Sequence, residues 1–65
     1  MSGTPVDETG TLLRDGGGFV LKRDRGGHYR LELQRTPVDL VEKRVRVIGL
    51  LTGADHVEAD GVQPA

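Results

Sequence analysis

The sequence predicts a small all-β barrel built from five short strands. Three observations predict it. Gly18–Leu33 reads as a β-hairpin, and its second arm, His28-Tyr29-Arg30-Leu31-Glu32-Leu33, alternates apolar and polar side chains with a period of two. Glycine clusters at Asp15-Gly16-Gly17-Gly18 and Asp24-Arg25-Gly26-Gly27 break the strand-like runs and suit tight reversals. Only Gln34–Glu42 carries a helical pattern, and it falls after the third strand-like run.

Met1–Thr9 holds small and polar residues, one proline and two acids, too little apolar surface to order by itself, and reads as a mobile tail. Gly10-Thr11-Leu12-Leu13-Arg14 is a short first strand. The glycines at 16–18 do not form a phosphate-cradling loop, because Phe19-Val20-Leu21 continues as a strand where such a loop needs a helix. Phe19-Val20-Leu21-Lys22-Arg23 and His28–Leu33 are the two arms of the hairpin. In Gln34–Glu42, Thr36 suits an N-cap, Pro37 the first helical position and Asp39 the first turn, with Val38, Leu40 and Val41 supplying an apolar side. Lys43–Leu51 resumes the strand period, with Val45 and Val47 on one face and Arg44, Arg46 and Ile48 on the other. Gly49 marks a bulge or bend that would return Leu50 to the core. Thr52–Asp55 is a turn, and His56–Val62 is a last strand that ends at Pro64. The domain then spans residues 10–64. Its expected core is Leu13, Phe19, Leu21, Tyr29, Leu31, Leu33, Leu40, Val45, Val47 and Val57.

Five short, bent strands hide their edges by closing into a barrel. A helical segment between the third and fourth strands is the arrangement of an OB-like barrel. An SH3-like barrel, with its helical turn between the fourth and fifth, is the alternative. Gly10-Thr11-Leu12, Gly18-Phe19-Val20-Leu21, Tyr29-Arg30-Leu31 and Lys43-Arg44-Val45-Arg46-Val47-Ile48-Gly49 resemble a family of short, uncharacterised bacterial OB-like domains. The resemblance covers most of the chain after the tail. It implies an OB-like fold and a bacterial source, and it implies no activity and no functional residue.

Composition narrows the function classes. The chain has 65 residues, a formal net charge of −1 and no cysteine, so disulfides and thiolate metal sites are excluded. A near-neutral charge gives no general attraction to polyanions. One Phe and one Tyr leave few side chains to stack on bases. There is no apolar run near the ~20 residues of a membrane span and no signal peptide, which points to a cytoplasmic protein. The one serine, Ser2, lies in the tail, and Thr52 has no acid–base partner nearby in sequence. Glu58 and Asp60 alternate outward. No nucleophile, base and orienting group come together, so no enzyme and no cofactor are expected.

Two constellations remain. His28 opens the third strand and His56 the fifth, and these strands run side by side and parallel in an OB-like barrel. The two imidazoles would share a rim with Asp55 or Glu58, a set suited to zinc, or else stand as two exposed histidines. Lys22, Arg30, Arg44 and Arg46 project outward around the central hairpin. They form either a plain solvated surface offset by Asp24 and Glu32, or a binding face for a protein partner or a single-stranded nucleic acid. A binding or interaction module is the expected role. Val20, Ile48 and Leu12 would also point outward, so the chain is expected to be a monomer or a weak homodimer.

Overall fold

The computed structural model describes residues 3–35 and 37–65. Five strands make up most of it: β1 (Thr4–Asp15), β2 (Gly18–Arg23), β3 (His28–Glu32), β4 (Arg44–Leu51) and β5 (His56–Pro64). They close into one barrel in the order β1-β2-β3-β5-β4. Four of the five pairings are antiparallel, and β3–β5 is parallel, as expected from the sequence. No helix among the described residues is long and apolar enough to cross a membrane.

β1 departs most from the sequence-based expectation. Thr4–Thr9, expected as tail, is the first half of a 12-residue strand, and the strand begins well before residue 10. Met1 and Ser2, the rest of that expected tail, lie outside the described residues. The N-terminal half of β1 pairs with β4 from Thr4↔Leu51 to Thr11↔Arg44, and its C-terminal half pairs with β2 from Gly10↔Arg23 to Asp15↔Gly18. Hydrogen bonds along β4 and the burial of Val6, 9 % exposed, supply what that segment lacks alone. The two pairings overlap at Gly10 and Thr11, where β1 has a strand on each edge. A Cβ on Gly10 would lie 2.1 Å from the carbonyl oxygen of Lys22.

Val6, Leu12, Leu21, Leu31, Val45, Val47 and Val57 form the core, with Phe19, Tyr29, Leu33 and Leu40 packed around it. Leu12 is fully buried and Leu13 only half-buried, the reverse of the expectation. Two adjacent leucines carry no alternation. Their phase is set by Val6, an inward position of the segment expected as tail, and by Gly10, the buried first residue of the expected strand. Val20 lies outside the core cluster, opposite in phase to Leu21, yet only 8 % exposed.

The helical segment is shorter than expected. Only Val38–Leu40 is helical, a single 3-10 turn in which the Leu40 N–H donates to the Pro37 carbonyl. Pro37 occupies the capping position and not the first turn. Thr36, the expected N-cap, lies outside the described residues. Val41 returns to extended backbone, and Glu42 adopts a φ of 67°, held there by its N–H donating to the Leu12 carbonyl at 2.6 Å. The Glu42 N–H is thus spent on β1, and the turn does not propagate.

The bulge is in β5 and not in β4. Ile48 pairs with Gly61 and Gly49 with Ala59, so Asp60 is the extra residue. β4 keeps its alternation throughout. Leu50 therefore stays outside at 39 % exposure, as does Ile48, while Leu51 packs inward. Gly49 is required for a different reason: a Cβ there would lie 2.2 Å from the Glu58 carbonyl oxygen.

Candidate functional site

The outer wall over β1, β2 and β3 follows from the register. Thr11 stands opposite both Arg44 and Lys22, and Lys22 opposite His28, so these four side chains make one row across four strands. The next row, towards the C-terminal end of β1, is Leu13, Val20, Arg30 and His56. Leu13 and Val20 floor a shallow recess of about 270 Å3, with Asp15 and His28 at its edge. This is an apolar spot within a charged surround.

The four bases expected to form a binding face do not converge. Lys22 and Arg44 share a row, Arg30 lies one row further on and Arg46 one row back, opposite Thr9. Three of them meet an aspartate. Arg46 chelates Asp7, donating from Nε to Oδ1 at 2.8 Å and from a terminal nitrogen to Oδ2 at 2.6 Å. Those bonds hold the Asp7 carboxyl below its ordinary value and raise Arg46. Arg44 donates to Asp24 from Nε at 3.1 Å and from a terminal nitrogen, which raises the guanidinium. Arg30 lies 3.8 Å from Asp15. Exposed pairs of this kind contribute little stability, but each cancels a positive charge locally. Of these aspartates, sequence reasoning named only Asp24. Asp7 falls in the expected tail and Asp15 in an expected turn.

His56 reaches neither Asp55 nor Glu58. Its Nε2 lies 3.1 Å from Glu32 Oε1, across the parallel β3–β5 pair. His28 borders the recess beside Val20. Among the described residues no group of three or more His, Asp or Glu side chains is arranged to hold a metal ion.

At one end, polar groups enter the barrel. Arg23 and Tyr29 point inward from β2 and β3. The guanidinium lies over the Tyr29 ring, 4.4 Å from its centroid, and donates to the phenolic oxygen at 3.1 Å. Glu8, its side chain only 15 % exposed, approaches Arg23 at 3.9 Å and Arg25 at 3.5 Å. Arg23 Nε is buried without a partner among the described residues. This cluster places an ion pair at the hairpin end of β2 and β3. Sequence alternation placed Tyr29 inward, but no sequence signal paired it with Arg23.

A second depression was not legible in the sequence. Leu33 and Val62 floor a groove of about 400 Å3, with Arg35 and Pro37 on one side and Asp60 and Gly61 on the other. It opens where β3 and β5 part.

No curated protein and no solved structure matches this chain. One family model matches residues 9–65, the barrel from the middle of β1 onward. It describes a protein of unknown function, DUF5818. The match agrees with the resemblance to an uncharacterised family drawn from the strand motifs. The chain belongs to this family of unknown function.

Proposed function

We propose that this barrel is an OB-like, non-enzymatic binding module, acting as a monomer or weak homodimer in a bacterial cytoplasm, and that it takes a protein partner on the outer face of β1, β2 and β3. The strand order, the parallel β3–β5 pair and the helical turn between β3 and β4 support the OB-like reading. The observation that carries the binding face is the recess over Leu13 and Val20. An apolar floor edged by Arg14, Asp15 and His28, with Lys22 and Arg30 next to it across β2 and β3, has the composition of a small protein–protein contact, with a dry centre and a polar rim. Mixed signs on that rim favour a protein surface, which can present both charges in register, over a polyanion.

A single-stranded nucleic acid is the second reading. It draws on Lys22, His28 and Arg30, which are neighbours across β2 and β3. Three aspartates against the four bases weigh against it, as does the inward placement of both aromatics.

Low-salt titration with a mixed-sequence single strand, followed by backbone chemical shifts, separates the two. No saturable shift is expected. Saturable binding that survives physiological salt would overturn the ranking. Proteins retained by the immobilised chain are expected to be released by Lys22→Glu with Arg30→Glu, while far-ultraviolet circular dichroism stays unchanged. Equal retention by both chains would remove the face from consideration.

A further inference from the structure

We infer that the opening between β3 and β5 is a docking groove for an extended, uncharged peptide segment, which adds as a strand to the free edge of β5. The inference concerns a different surface from the outer-face reading and stands apart from it.

β3 and β5 run parallel through only three paired positions, Arg30↔His56, Leu31↔Val57 and Glu32↔Glu58. β3 ends there, and its chain turns away through Leu33 and Arg35 towards Pro37. β5 continues to Pro64, paired with β4 alone. Among the described residues, one edge of β5 from Ala59 to Gln63 therefore has no strand beside it. A strand edge without a neighbour presents backbone donors and acceptors to any extended chain that can reach them. Asp60, the extra residue of the bulge, lies where the two strands separate.

The groove lies along that edge. Leu33 and Val62 are half-buried against the core and give it an apolar floor. A Cβ built on Gly61 meets nothing within 4 Å, so there is open space beside the backbone. Five residues of edge extend roughly 16 Å, enough for a strand of five or six residues.

Charge and shape indicate the occupant. Arg35 on one wall and Asp60 on the other cancel, so neither a polyanion nor a polycation gains by entering. The floor favours an apolar side chain, and the edge favours an extended backbone. A second barrel fits poorly. Its own β5 edge is recessed between the same walls, and two recessed edges cannot meet without parting those walls. A single unflanked strand can enter.

The test uses the full chain, isotopically labelled, and the uncharged peptide acetyl-Thr-Val-Thr-Leu-Thr-Val-amide. Saturable amide shifts are expected at Ala59–Gln63 and Leu33–Arg35, with none at Val20 or His28. The same peptide N-methylated at alternate residues should lose binding, because its edge can no longer donate. Gly61→Lys should also lose it while keeping the melting temperature, since the new side chain has room and fills the groove. Absent shifts, shifts centred on Val20 and His28, or equal binding by the methylated peptide would each overturn the inference. Concentration-dependent dimerisation with shifts at Ala59–Gln63 would assign the edge to a second copy and overturn it as well.

Discussion

Asp7 and Arg46 lock the first half of β1 to β4 through a two-pronged contact, Nε to Oδ1 at 2.8 Å and a terminal nitrogen to Oδ2 at 2.6 Å. Their Cα atoms are not direct partners: Asp7 faces Ile48, and Arg46 faces Thr9. The bond is thus a diagonal across the antiparallel pair, a separation within reach of a long side chain.

This contact predicts a pH dependence. Hydrogen bonds from Arg46, opposed by a smaller cost of desolvation and aided by the arginine's charge, hold Asp7 below its ordinary value of 3.8. A carboxyl whose folded value is depressed stabilises the fold above its unfolded value, and loses that contribution as pH falls through the folded one. The melting-temperature difference between wild type and Asp7→Asn should therefore be constant near neutrality and shrink below pH 3.8. A difference that holds steady along the acid limb would show that the contact is not made in solution. Both groups are exposed, so the effect should be small.

The phase of β1 predicts unequal costs for two neighbouring leucines. Leu12 is fully buried and Leu13 half-buried at the outer recess. Leu12→Ala should cost about 2–5 kcal/mol, the range for a core leucine that leaves a cavity. Leu13→Ala should cost about 1 kcal/mol. Urea unfolding measures both, and a larger loss for Leu13→Ala would invert the strand.

Gly49 and Gly61 make a matched pair on adjacent strands. A Cβ on Gly49 would lie 2.2 Å from a backbone oxygen, and one on Gly61 would meet open space. Gly49→Ala should destabilise by about 1–3 kcal/mol or more, because backbone must move to admit it. Gly61→Ala should be neutral or stabilising by about 0.4–1 kcal/mol through the unfolded chain. Equal melting temperatures for the two variants would contradict the close approach of β4 and β5.

The barrel-end cluster predicts a difference between two arginines on the same glutamate. Arg23 covers the Tyr29 ring and is mostly buried, while Arg25 is 72 % exposed. Arg23→Ala should cost about 1–3 kcal/mol, since it strips a partner from the enclosed Glu8 carboxylate and from the Tyr29 hydroxyl. Arg25→Ala should stay within about 0.5 kcal/mol. Chemical denaturation of both variants decides it, and comparable losses would place Glu8 in solvent.

The bases of the candidate site were legible as outward residues, because Arg30, Arg44 and Arg46 alternate with Leu31, Val45 and Val47. Their neutralisation was not. Asp24 precedes Arg44 by 20 residues and Asp7 precedes Arg46 by 39, and only the closure of the barrel brings those partners together. The groove was hidden for a related reason. It exists because β3 stops at Glu32 while β5 runs on to Pro64, and the length of one strand beside another is not a local property of either.

Sequence alone determined the all-β class, the hairpin, the position of the helical turn and most of the inward face. Each rests on neighbours in the chain: a period of two at Tyr29, Leu31 and Leu33, glycines at the reversals, and a proline before a short apolar run. Tertiary structure decided whether Thr4–Thr9 is strand, which of Leu12 and Leu13 faces inward, and where the bulge lies. Those outcomes depend on pairing between distant strands. Thr4–Thr9 gains hydrogen bonds and burial for Val6 only once β4 lies beside it, and the phase of Leu12 follows from that pairing. Asp60 is extra only in relation to Ile48 and Gly49 opposite. Cross-strand register is a property of two segments at once, and neither segment read alone contains it.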